Sequence, residues 1–237
     1  MSDPLVSCVM PTWNRRRFIL AAVDCWLKQT YENRELVILD DGEEPVEDLL
    51  PEDPMIRYVF ENKRLCTGDK RNRVNSLARG EIICHFDDDD WSAATRIQRQ
   101  IDILAQTGKI VTGFSNLLFW KADESRPMIY RSRIPGYVCG TTLCYRRDFW
   151  EIHRFRSKQE ASDNDFVYPI TREIAASKET NQMVARIHSC HHTSKKIGIN
   201  EEIGRSEIPE EFWENERLII TGGPNGRNNE QGEIQVP

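Results

Sequence analysis

The sequence predicts an α/β fold: a mostly parallel central sheet with helices on both faces, a more mixed second half and a C-terminal tail. Two observations carry this reading. Short apolar runs alternate with stretches of helical period through the first 90 residues, and three of those runs end directly in polar clusters.

Residues 5–10 are an apolar run closed by Pro11, a candidate buried strand. From Arg15 the period changes: Phe18, Ile19, Ala22, Val23, Trp26 and Leu27 recur at helical spacing, with Asn14 as candidate N-cap. Residues 35–39 form a second strand that runs into Asp40-Asp41-Gly42, and residues 56–60 a third. A helix around residues 70–78 is ended by Gly80, and residues 81–86 give a fourth strand. After Trp91 the rhythm changes. Ile97, Ile101 and Leu104 mark an amphipathic helix that Gly108 ends, and residues 110–120, 128–131 and 141–145 read as strands. Residues 163–176 read as a helix kinked or shortened by Pro169, and residues 182–188 as a last strand. From about Ser206 only Phe212, Trp213 and residues 218–220 offer apolar anchors, which predicts a docked helix followed by disorder.

The 237 residues fit one large domain, or one with a small extension, and a core that needs no staples. A net charge of −6, from 32 basic and 38 acidic residues, provides no global field to recruit nucleic acid or an anionic membrane. The seven cysteines are odd in number, lack CxxC spacing and sit mostly in apolar runs, as reduced thiols of a cytoplasmic protein do. No apolar stretch before Pro11 is long enough for a signal peptide, and nowhere do 18 apolar residues run together. Secreted and membrane-spanning classes are therefore not expected.

The strongest chemical signal is Asp87-Asp88-Asp89-Asp90-Trp91, directly after the fourth strand. An acidic run is often just solvated. Here it caps a buried strand, where open α/β sheets bind ligands, and crowded carboxylates repel one another unless a cation or a proton relieves them. Oxygen ligands suit Mg²⁺ or Mn²⁺, and alternation along an extended segment lets Asp87 and Asp89 face one metal. Asp40-Asp41-Gly42 and Pro11-Thr12-Trp13-Asn14 end the other two strands, although Asp-Asp-Gly alone is a plain turn. Gly68-Asp69-Lys70-Arg71-Asn72 opens a helix with fixed positive charge, or is a solvated helix start.

These four segments, residues 6–15, 36–42, 68–72 and 80–91, occur in the order and at roughly the spacing of glycosyltransferase family 2, which the chain resembles over its first 91 residues. The resemblance implies a GT-A fold and inverting transfer of a sugar from a nucleotide donor, most naturally a UDP-sugar. Residues 1–91 would be the nucleotide-sugar half, 92–205 the acceptor and catalytic half of the same domain, and 206–237 the tail. Pro11, Thr12, Asn14, Arg15, Asp40, Lys70 and Arg71 would hold the nucleotide, with Asp40 facing the base. Asp87 and Asp89 look like the DxD pair for a metal–diphosphate, with Asp88 beside the ribose.

Inverting transfer needs a general base for the acceptor hydroxyl. The family's Glu-Asp-x-Asp-like motif is matched by Ser162-Asp163-Asn164-Asp165, which carries Ser162 where Glu is usual. Asp163 is the expected base and Asp165 the reserve; either Ser162 or Asp163 would also serve as an N-cap. Three histidines, at 188, 191 and 192, fall within five residues, and His188 best matches the position from which relatives bring a side chain to the metal. His191, Lys195 and Lys196 are further candidates for the leaving diphosphate, and a solvated strand end is the plain alternative. Trp91 and Trp120 could stack on sugar or base, or be core.

The expected partners are a nucleotide-sugar donor and a hydroxyl-bearing acceptor such as a glycan. Basic pairs through the second half leave room for an anionic acceptor, with nucleic acid not favoured but not excluded, and a lipid-linked acceptor would require peripheral docking at a membrane. Oligomeric state is not legible. Three rivals stand beside the transferase: a nucleotidyltransferase, which would normally carry a Gly-rich loop after the first strand; a two-metal phosphoesterase; and a binding module that has lost catalysis.

Overall fold

A computed structural model describes residues 3–189 and 200–221. The first half alternates as β1 (Val6–Thr12), α1 (Arg16–Leu27), β2 (Arg34–Asp40), β3 (Ile56–Phe60), α2 (Thr67–Leu77) and β4 (Ile82–His85). There follow β5 (Trp91–Ser92), α3 (Arg96–Thr107), β6 (Val111–Phe114), β7 (Asn116–Lys121), β8 (Arg126–Arg131), β9 (Cys144–Arg146), α4 (Arg147–Ile152) and α5 (Ser162–Val167). The described chain closes with β10 (Ile174–Ser177), β11 (Met183–Ile187), β12 (Asn200–Glu202) and α6 (Glu210–Thr221).

Seven strands form the central sheet in the order β10-β6-β9-β4-β1-β2-β3, with β9 antiparallel to both neighbours and the other pairs parallel. The inner strands are apolar on both faces because both faces are covered. Val6, Cys8, Met10, Leu36 and Ile38 join one core with Ile19, Val23 and Trp26 of α1, whereas Val9, Val37 and Leu39 join a second with Val74 of α2. Each of these large aliphatic side chains is worth about 1.5–3 kcal/mol when fully buried. A five-stranded sheet, β12-β8-β7-β11-β5, stands beside the first, and α6 packs against α1. Among the described residues no helix is long and apolar enough to cross a membrane.

Three local expectations are revised. The single strand expected over residues 110–120 is two, β6 and β7, which belong to different sheets and meet at Ser115. The helix expected over residues 163–176 stops at Val167, continues as a 3-10 segment (Tyr168–Glu173) in which Ile170 is non-helical, and becomes β10. Pro169 supplies part of the reason, since its ring and missing N–H oppose an α-helix that would run through it. Asn14 does not cap α1. It takes a left-handed conformation (φ 52°), which asparagine tolerates, and its Oδ1 accepts from the Glu43 and Glu44 amides at 2.8 and 3.4 Å. The expected disorder of the tail, residues 222–237, lies outside the described residues, as does Cys190.

Candidate active site

In the order β4-β1-β2 the chain reverses direction of growth at β1, which makes the carboxyl ends of β1 and β4 the crevice of the sheet. Register sets the level: Thr12 pairs with Asp40 and Val9 with His85, so the residues after each strand emerge together. A cleft opens there between Pro11, Thr12, Trp13 and Arg15 on one side, the start of α2 on another, and Asp87, Asp88 and Asp89 below.

The carboxylates are crowded and almost dry, with Asp88 and Asp89 only 7% and 6% exposed. Burial, and then the charge of Asp89, pushes the Asp88 carboxyl up to about 8. Arg15 offsets part of this, its Nε lying 3.8 Å from both Asp88 Oδ1 and Asp89 Oδ2. His188 reaches Asp89 Oδ2 with Nε2 at 3.1 Å and stacks on Phe18 of α1 with centroids 4.2 Å apart. The fourth aspartate has a different task. Asp90 accepts from Thr141 Oγ1 at 2.7 Å and from the Arg186 amide at 3.0 Å, tying the loop to β11.

Among the described residues, no group of three or more His, Cys, Asp or Glu side chains forms a ready-made metal cage. Mg²⁺ and Mn²⁺ are commonly held by one or two carboxylates plus substrate phosphates, and Asp87, Asp88 and Asp89 line the cleft. Asp87 and Asp89 offer carboxylate donors there, and such a cation relieves the repulsion between buried Asp88 and Asp89.

Two expected nucleotide contacts are revised. Asp40 is fully buried away from the cleft, its carboxylate accepting from the amides of Gly42 (2.8 Å) and Val46 (3.0 Å) and from the Tyr58 hydroxyl (3.0 Å). Asn14 is likewise committed to the loop after β2. Successive residues leaving a strand point to opposite faces, so it is Asp41 that turns toward α2. Asp41 pairs with Lys70 and accepts from the Leu65 amide at 2.8 Å. Lys70 lines the cleft but is held by Asp41 and, at 3.1 Å, by the Thr12 carbonyl; burial pulls its ammonium below the usual value and Asp41 pulls it back.

Arg71 links this cleft to the second half, lining it while placing a guanidinium nitrogen 3.5 Å from Ser162 Oγ at the start of α5. The segment leading to α5 is stitched along α2. Asn72 and Phe155 exchange bonds of 2.8 and 3.0 Å, the Gly68 amide donates to the Lys158 carbonyl at 3.0 Å, and Ser157 Oγ donates to Asp69 at 2.7 Å. Ala161 then takes a left-handed conformation (φ 56°), a strain of about 1–2 kcal/mol for an L-residue, and α5 begins. Neither Asp163 nor Asp165 is part of the cleft lining, and their surroundings differ. Asp165 pairs with Lys158 at 2.6 Å, which holds its carboxyl below the usual range. Asp163 lies directly over Gly140: a Cβ there would sit 2.1 Å from Asp163 Oδ2, so only glycine admits the carboxylate.

Sequence reasoning missed Arg64, Leu65, Thr67 and Gln159, which complete the cleft. Arg64 covers the Trp13 ring at 3.4 Å, and nothing in the loop after β3 signals this in advance. Trp91 and Trp120 are core, both packed against Phe212 of α6 with centroids 6.4 Å away. His191, Lys195 and Lys196 lie outside the described residues.

The fold matches solved glycosyltransferase structures. The crystal structure of S. aureus TarS 1–349 in complex with UDP-GlcNAc covers 91% of this chain and 65% of its own at a TM-score of 0.65 and 17% identity. The mannosyltransferase PcManGT of Pyrobaculum calidifontis, in complex with GDP-Man and Mn²⁺, covers 83% of this chain and 59% of its own at a TM-score of 0.59 and 15% identity. At such identities the likeness speaks for the fold, which is of GT-A type. The family follows from the sequence: the model of glycosyl transferase family 2 matches residues 7–168, and the chain belongs to that family. WcaA of Escherichia coli strain K12, named as a colanic acid biosynthesis glycosyl transferase, is 37% identical over 156 residues, 57% of this chain and 56% of WcaA. The chain spans about half the length of the curated relatives it matches.

Proposed function

We propose that the chain is an inverting transferase that moves a sugar from a UDP-sugar to an acceptor hydroxyl, with a divalent cation, Mn²⁺ or Mg²⁺, at the diphosphate. One observation carries the reading: in a family 2 chain, Asp87, Asp88 and Asp89 meet Arg15 and Arg71 in a single cleft at the carboxyl ends of β1 and β4. The UDP-GlcNAc complex among its structural neighbours favours the uridine donor, and the Mn²⁺ complex favours the cation.

Asp87 and Asp89 would hold the cation, with His188 fixing the Asp89 carboxylate through the 3.1 Å contact. When bound, such a cation neutralises charge gathering on the leaving diphosphate. Pro11, Thr12 and Arg71, which line the cleft, would flank the nucleoside, and Asp88 would sit beside the ribose. Asp163 takes the acceptor proton; Asp165, engaged by Lys158, is less available for that role. Asp40 acts through the loop it braces rather than by touching the base.

Calorimetric titration with UDP, GDP and CDP, each with Mn²⁺ and with a chelator, tests the reading. UDP is expected to bind with Mn²⁺ and to lose most of its affinity in the chelator. Failure of all three nucleotides to bind under either condition would overturn it.

A further inference from the structure

The acceptor must bring its hydroxyl within about 2.6–3.2 Å of the base, so the rest of it lies on whatever surface borders Asp163. That surface is aromatic. The Tyr137 hydroxyl donates to Asn164 Oδ1 at 3.2 Å, one residue from Asp163 on α5. The Tyr137 ring lies 5.6 Å from Tyr168, tilted by 34°, and 6.4 Å from Tyr130 of β8, edge to face. Three different segments therefore bring their phenols into one row. The segment carrying Tyr137 is fixed by Gly136, whose left-handed conformation (φ 74°) brings it against the Thr171 carbonyl, where a Cβ would approach to 2.2 Å. Tyr168 is 49% exposed, and Tyr130 and Tyr137 are half-buried. None of the three belongs to the nucleotide cleft.

We propose that Tyr130, Tyr137 and Tyr168 form the acceptor platform, on which at least two rings of a saccharide chain stack while the terminal hydroxyl meets Asp163. A tyrosine ring joins an apolar face to a polar tip and loses little side-chain entropy on binding. A pyranose presents the matching surface, with an apolar C–H face and a rim of hydroxyls. Tyr168 is exposed to solvent, which leaves space beside it for the chain beyond the reacting residue. This rests on the transferase reading and adds the chemical class of its acceptor, an oligosaccharide.

The test uses the full chain labelled with 3-fluorotyrosine, its ¹⁹F signals assigned with single Tyr→Phe variants. It is titrated with cellotetraose, chitotetraose and mannotetraose, with and without UDP and Mn²⁺. At least one tetrasaccharide is expected to move the Tyr137 and Tyr168 signals together. Tyr168→Ala should weaken that binding about tenfold while leaving UDP affinity unchanged. Absence of any Tyr137 or Tyr168 response to all three sugars while UDP binds would overturn the platform alone, as would unaltered sugar binding in Tyr168→Ala. Sugar-induced shifts retained in a protein that binds no UDP would support the platform and count against the donor assignment.

Discussion

Asp163 and Asp165 share the first turn of α5, and their neighbours separate them. Lys158 neutralises Asp165 at 2.6 Å, whereas Asp163 is packed on Gly140. Asp163→Asn is therefore expected to lower kcat by about 10²–10⁴-fold, the usual contribution of a general base, with UDP affinity unchanged. Asp165→Asn should cost far less. Steady-state kinetics beside a UDP titration check both, and the reverse ranking would move the base by two residues. The motif made both carboxylates visible in the sequence. Lys158 and Gly140, which distinguish them, carry no such mark: Lys158 reaches Asp165 only because the turn at Ala161 folds the chain back, and Gly140 meets Asp163 from a separate segment.

At the scale of elements, β2 shows how one charged residue sets a pH dependence. Glu35 is buried in the sheet, accepting from Ser7 Oγ at 2.5 Å and from the Arg79 amide and Nε, each at 2.7 Å. Burial alone would raise its carboxyl; the Ser7 and Arg79 bonds more than offset this and hold it below the ordinary 4.5. A carboxylate lowered on folding contributes stability that is full above its unfolded value and fades as pH falls through the folded one. Glu35→Gln is thus expected to cost about 1–3 kcal/mol at pH 7. The gap from the parent should narrow below the ordinary value of 4.5, read by urea denaturation across pH. A gap independent of pH would show that the charge is not responsible. Apolar runs located β1, β2 and β4 because those strands are buried on both faces, and β3 although it is a half-buried edge strand. The same criterion merged β6 with β7 and α5 with β10, where the chain changes sheet or element with no glycine at the break and no long polar stretch to mark it.

On the scale of the whole molecule, Arg186 joins the second sheet, the acidic loop and the last helix. It is buried, donating to Glu216 at 2.6 Å, Asn215 at 2.7 Å and the Asp89 carbonyl at 3.0 Å, while Phe212 lies under its guanidinium at 4.8 Å. Asn215 in turn donates to the Ala21 carbonyl of α1 at 2.9 Å. Arg186→Met would leave the Glu216 carboxylate without its buried partner and is expected to cost about 3–5 kcal/mol in chemical denaturation. A loss under about 1 kcal/mol would mean that apolar packing alone docks α6.

The α/β class, the strand ends that carry the polar clusters and the family motifs of the first 91 residues were all legible in the residues alone. These are local: a run of residues records burial, period and the chemistry at its end. Tertiary structure decided that Asp41 rather than Asp40 turns toward α2, that Asp90 braces β11, and that α5 is aimed by segments stitched to α2. Each depends on pairings between residues far apart in the chain. Their geometry is set only when the sheet closes, because a side chain's direction and its desolvation belong to the packed molecule.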